Sequence, residues 1–243
     1  MTKISEVYLY ALIPIFSILL GGMVRLFTEP NGAFRSSVLH FAAGVVFSVV
    51  AVELLPDIVK EHKPLEVATG FGLGMITMLS VKFFAEKFEE KQKKKQTKNN
   101  LPIGLLVALG IDLLIDGLLL GVGFSAGNTE GILLSVALAL ETFSLGLAVV
   151  LAFGKSNISK KMRLSVLLIL GLIFFVGAIF GITLLSHLSQ ELLELVLSFG
   201  LAALLFLVVE ELLTEAHEEQ ETLFQTSMFF VGFLIFLLIG MET

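Results

Sequence analysis

The sequence predicts an all-α, polytopic membrane protein with eight transmembrane helices in a 3+2+3 arrangement. Three observations carry that expectation. The 243 residues are 56% hydrophobic with a mean hydropathy of +0.95, against about 45–50% apolar in soluble domains even with glycine counted. Apolar runs of roughly 20 residues, the length a helix needs to cross a bilayer, recur eight times. Thirteen of the sixteen basic residues fall in alternate loops, which fits an even number of crossings.

The spans lie near 7–27, 37–58, 66–86, 101–124, 131–154, 164–186, 192–213 and 223–241. The first is read as retained, because Arg25 and Arg35 follow it where a cleaved leader would carry small residues. The second ends VELLPDIVKE. The third runs into EKFEEKQKKKQTKNN, residues 86–100, a solvated linker or, in a sharper reading, a regulatory or lipid-binding segment. Asn99 and Asn100 offer capping side chains before the fourth span, with Pro102 in its first turn. The fourth and fifth spans form a hairpin around the short SAGNTEG loop. The seventh has polar residues at both ends, and the eighth is short. One transmembrane domain over 1–243 is expected: helices one to three in 1–86, a cytoplasmic Lys-rich loop over 87–100, the central hairpin over 101–154, and helices six to eight in 155–243.

Charge sets the orientation. Arg25 and Arg35 follow span one, seven lysines from Lys82 to Lys98 follow span three, and Lys155, Lys160, Lys161 and Arg163 follow span five. Only Lys3, Lys60 and Lys63 fall on the other side. The positive-inside rule then places both termini outside the cell membrane. With no cysteine, neither disulfides nor thiolate metal sites are available. With no tryptophan the usual interfacial belt is missing, and 22 phenylalanines supply lipid-facing bulk. No P-loop is present to drive an ATP-powered pump, and no Gly-x-Gly-Asp setting suggests an intramembrane protease. An enzyme is therefore not expected. The expected partners are a metal ion and the lipid bilayer, with a second copy of the chain as a candidate, and no nucleic acid.

The central hairpin carries acid at bilayer depth. Asp112 lies roughly 16 Å into span four, with Asp116 one turn on along the same face, and Glu141 lies about 15 Å into the antiparallel span five. Each buried charge costs about 2.5–3.5 kcal/mol on an insertion scale. Spans four and five hold no Lys, Arg or His to pair with them. An external cation is the simplest partner, with Thr142 and Ser144 adding hydroxyl oxygens. The competing account is a protonated set of acids hydrogen-bonded between helices. Glu53 and Asp57 fit an outer vestibule, and Glu210, Glu211 and Glu215 an inner exit; each also fits an ordinary solvated helix end. His217, within EAHEEQE, is the best candidate among the histidines for an accessory metal contact, while His40, His62 and His187 fit interfacial side chains.

A weak internal repeat aligns VELLPDIVKE, from Val52, with EELLTEAHEE, from Glu210. It sets Glu53 opposite Glu211, Asp57 opposite Glu215 and Glu61 opposite Glu219. Span two exits outward and span seven inward, so the units would be related by inverted topology, as in many transporters. Chance similarity between two Leu-rich helix ends is the alternative.

On these features the chain resembles the ZIP family of divalent metal transporters, particularly its compact bacterial members. HFAAGVVFSVVAVELLPD is similar to the family's second span, which runs from an AG pair to an LLP ending. The family pattern is His-Asn-x-x-Asp/Glu-Gly in span four and His-Glu-x-x-Glu-Gly in span five. Anchored on Gly117, Asp112 takes the His position, Leu113 the Asn and Asp116 the acid. Anchored on Gly146, Glu141 takes the His position, Thr142 the first acid and Leu145 the second. Both histidines have become carboxylates, and span six offers no acid. The resemblance implies a divalent cation as substrate, bound by Asp112, Asp116, Glu141, Thr142 and Ser144, with Glu53, Asp57, Glu210, Glu211 and His217 along the pathway. Zn²⁺ is the family default, and Mn²⁺, Fe²⁺ or Mg²⁺ the alternatives favoured by oxygen donors. The rival functions are a Na⁺- or H⁺-coupled transporter of another solute and a non-transporting ZIP-like metal sensor or scaffold.

Overall fold

The computed structural model describes residues 3–28, 32–60, 63–93, 103–153, 158–185, 190–218 and 222–242. Among them all regular structure is helical. Helix α1 is Lys3–Phe27. Helix α2 begins as Gly32–Val49, passes through a π-helical turn at Val50–Leu54 and ends as Leu55–Lys60. Then come α3 (Pro64–Lys93), α4 (Ile103–Ala126), α5 (Asn128–Ala152) and α6 (Lys160–Leu185). Helix α7 begins as Gln190–Phe206, passes through a second π turn at Leu207–Leu212 and ends as Leu213–Ala216. Helix α8 is Leu223–Glu242. All eight are long and apolar enough to cross a membrane, so the chain is a multi-pass membrane protein of the expected class.

Two boundaries differ from the sequence expectation. Helix α3 continues to Lys93, well past position 86. Glu, Lys and Gln are good helix formers and need no apolar partner to extend a helix into water. Helix α2 starts at Gly32, so Arg35 lies within it. The guanidinium reaches Glu215 at 2.8 Å, near the end of α7, which balances its charge there. The remainder of the Lys-rich segment, 94–100, lies outside the described residues.

The helices form two groups that are not contiguous in sequence. In one, α1 packs on α5 and α6, and α4 on α6; in the other, α2 packs on α8, and α3 on α7. Glycines set these close approaches. A Cβ on Gly117 or Gly177 would strike the Phe174 or Leu114 carbonyl across the α4–α6 contact. Gly21 and Gly146 play the same part between α1 and α5, Gly44 and Gly232 between α2 and α8, and Gly70 and Gly74 between α3 and α7. With lipid on the outside there is little hydrophobic drive between helices, and small residues supply the packing instead.

Polar side chains complete the α1–α5 contact. Pro14 sits inside α1 and lacks an N–H, which leaves the Tyr10 carbonyl without its helical donor. Ser135 of α5 donates to that carbonyl at 2.7 Å. Ser17 of α1 donates in return to the Ala139 carbonyl. On α7, Glu194 is 8% exposed and is held by Lys63 at 2.6 Å.

The two π turns fall at matching points of the internal repeat. Val50–Leu54 contains Glu53 and Leu207–Leu212 contains Glu211, the two residues that the alignment sets opposite one another. Single π turns inside α-helices are rare and occur often at functional sites.

Candidate metal centre

Helix α4 carries Asp112 and Asp116, the latter 2% exposed. Helix α5 carries Glu141, 5% exposed. The π turn of α7 carries Glu211. Asp112, Glu141 and Glu211 each offer a carboxylate oxygen, and the three lie within 4.8 Å of one another. The Asp112 and Glu211 carboxyls are within hydrogen-bonding reach. Oε2 of Glu141 and Oδ2 of Asp116 are buried without a hydrogen-bond partner. At about 4.8 Å two unit charges repel by about 3–4 kcal/mol even at an effective dielectric near 20. A cation, or protons on the carboxyls, relieves that repulsion.

The residues expected at the site divide into those the fold gathers and those it does not. Asp112 and Glu141 are brought together as expected. Asp116 lies one turn further along α4, buried beside this group but outside the 4.8 Å set. Thr142 donates toward the Pro14 and Ala139 carbonyls, at 3.1 and 3.2 Å, so its hydroxyl ties α5 to α1. Ser144 is fully buried and its hydroxyl has no hydrogen-bond partner. Glu210 is exposed and paired with Lys82 of α3. His217 is exposed and stands against His40. The side chains of Glu53 and Asp57 lie outside the described ones, as does Glu61.

Glu211 is the residue whose role the sequence reading placed elsewhere, in an exit. It sits in a span, Glu194–Ala216, within a few residues of its end. An acid there fits a solvated terminus until the packing of α7 on α3 and α4 is known. Two signals pointed to it: its place in the apolar run LFLVVEELL and its alignment with Glu53.

A cavity of about 300 Å³ opens from this cluster. Asp112, Glu211 and Glu215 line it, and Lys82 and Glu86 line it near the end of α3. The Lys82 ammonium rests between the Glu210 carboxylate and the Phe206 ring, 5.8 Å from the ring centre. Among the described residues, every charged group lining the cavity apart from Lys82 is acidic.

Eight membrane-crossing helices and a cluster of buried and half-buried carboxylates within them define a polytopic membrane protein with an acidic interior. Residues 86–240 match the family model described as ZIP Zinc transporter, and the chain belongs to that family of metal transporters. The match runs from the end of α3 through α8 and includes all three helices that carry the cluster. A comparison with curated proteins finds no match.

Proposed function

We propose that the protein carries a divalent metal cation across the cell membrane, inward, with the Asp112–Glu141–Glu211 cluster as its transient binding site. The observation that carries this reading is the convergence of three carboxylate oxygens, from α4, α5 and α7, at the head of an acid-lined cavity. Intramembrane acids without a basic partner are functional by default. Asp116 adds negative charge beside the cluster, and water completes the shell of the ion.

The donors are all oxygen. Such sites suit Mn²⁺, Mg²⁺ or Fe²⁺, whereas imidazole sites favour Zn²⁺. Zinc stays in the substrate range as the family's default, and the hard donor set widens that range toward manganese and iron. The mechanism is alternating access. Asp112 and Glu141 belong to one helix group and Glu211 to the other. Relative movement of the groups takes Glu211 away from its two partners, dismantles the site and lowers its affinity for the ion. The cavity lined by Lys82 and Glu86 opens on the side where α3 ends, which the positive-inside rule assigns to the cytoplasm. The described conformation is then inward-open, with both termini outside.

The test is uptake of Zn²⁺, Mn²⁺, Fe²⁺ and Mg²⁺ into proteoliposomes, for wild type and for Asp112→Ala, Glu141→Ala and Glu211→Ala. Metal-specific uptake that is lost in all three variants is the expected result. Wild type moving no metal, or variants moving it normally, overturns the proposal.

A further inference from the structure

A second set of metal-ligating side chains lies where α2 begins and α7 ends. His40 of α2 is 2% exposed. Its Nδ1 stands 2.9 Å from the Ser36 carbonyl oxygen. A carbonyl only accepts, so Nδ1 carries the proton. The Ser36 hydroxyl donates to the Ala216 carbonyl at 2.8 Å and so turns a lone pair toward the same Nδ1, at 3.4 Å. In the neutral ring the bare lone pair then belongs to Nε2, which is buried and has no hydrogen-bond partner. Leaving such a group unsatisfied is destabilising.

His217, at the C-cap of α7, supplies a second imidazole. The two ring centres are 5.3 Å apart and the planes nearly perpendicular, at 85°. Two imidazoles sharing a tetrahedral zinc, with Zn–N bonds of about 2.0–2.1 Å, hold their ring centres about 5 Å apart. A ring whose Nδ1–H is fixed by a backbone carbonyl, with Nε2 bare, matches the way metal-ligating histidines are usually oriented. Arg35 stands beside the pair and engages Glu215 at 2.8 Å and Glu218 at 3.7 Å. Glu215 is thereby committed to the guanidinium. Glu218 is more loosely held, exposed, and next in sequence to His217.

We infer that His40 and His217 form a second metal site, for a nitrogen-preferring divalent cation such as Zn²⁺, with Glu218 and water completing its shell. The inference goes beyond the transport reading and does not depend on it. The site's chemistry is also the opposite of the central cluster's, which contains no nitrogen donor. An ion here clamps the start of α2 to the end of α7.

The nitrogen ligands give the test its handle. Zinc K-edge X-ray absorption on the detergent-solubilised full chain reports imidazole scattering, which the carboxylate cluster cannot produce. Wild type is expected to show it, and His40→Gln and His217→Ala to lose it. In the Asp112→Asn/Glu141→Gln/Glu211→Gln background, titration calorimetry is expected to retain zinc binding that either histidine substitution weakens at least about tenfold. His217 is exposed, so its substitution leaves folding intact should His40→Gln fail to fold. Absence of imidazole scattering in wild type, or unchanged scattering and affinity in His217→Ala, overturns the site. Zinc uptake that persists alongside such a result removes this inference alone, while histidine-dependent zinc binding without uptake removes only the transport proposal.

Discussion

Asp112 of α4 and Glu211 of α7 bring their carboxyl groups within hydrogen-bonding reach across the boundary between the two helix groups. Two acids so placed repel unless something positive lies between or on them. The contact therefore makes the approach of the two groups sensitive to what occupies the cluster.

The ligand set can be ranked by substitution. Glu211→Gln should reduce metal uptake about as severely as Asp112→Asn or Glu141→Gln, by at least about tenfold. Asp116→Asn should cost less, because Asp116 lies outside the 4.8 Å set. Initial rates in proteoliposomes at a single metal concentration give the order. A more damaging loss at Asp116 than at Glu211 would return the site to the hairpin alone.

Donor chemistry gives a second expectation. Asp112→His or Glu141→His places imidazole in an all-oxygen cluster, and imidazole suits Zn²⁺ better than Mn²⁺. The ratio of zinc to manganese uptake in a mixed-metal assay should rise, by about tenfold. An unchanged ratio would mean that selectivity is set outside these side chains.

Among the described residues, Lys82 is the one cation lining the acidic cavity. It is partly exposed and paired with Glu210, an arrangement worth only about 0.2–1 kcal/mol to stability. Lys82→Met removes a positive charge from the path of a cation. Divalent metal should bind several-fold more tightly at low ionic strength, with the gain shrinking as salt screens the site. Equilibrium binding at two salt concentrations checks both halves of the expectation.

Pro14 and Ser135 form a compensating pair. Ser135→Ala leaves the half-buried Tyr10 carbonyl without a donor, at a cost of about 1–3 kcal/mol. Pro14→Ala supplies a backbone N–H to that same carbonyl. The double variant should thus recover much of the stability that Ser135→Ala loses. Thermal unfolding followed by circular dichroism, run as a double-mutant cycle, measures the coupling. Additive losses would show that the two sites act independently.

The sequence reveals most where physics penalises a residue. Asp112 and Glu141 stand out because charge at mid-bilayer has no cheap explanation, and the fold brings both to the cluster. Helix count follows from apolar length alone. Glu211 is harder to see because acid near a span end costs little, and only tertiary packing gives it its partners. Thr142 is a similar case in reverse. A hydroxyl beside buried acids suggests a ligand, yet it donates to the Ala139 carbonyl of its own helix and to the Pro14 carbonyl of α1, at the proline that interrupts that helix's own ladder. His40 reads as interfacial by position, and its burial follows from the way α2 packs on the end of α7. Grouping of the helices is not visible in hydropathy, since every span is apolar; the glycines that weld each pair become informative only when their partners are known.

The π turn of α7 puts the last stretch of that helix out of phase with the rest. An α-helix advances about 100° per residue, so one extra residue in a turn redirects every side chain beyond it. Glu215, Ala216 and His217 all lie past the turn at Leu207–Leu212. Their links to Arg35, Ser36 and His40 hold only in the shifted phase. Removing one residue from the turn, Val208 for example, would restore an unbroken α-helix and rotate all three off α2. A shorter, more regular α7 would be better hydrogen-bonded along its length and worse fitted to its neighbour.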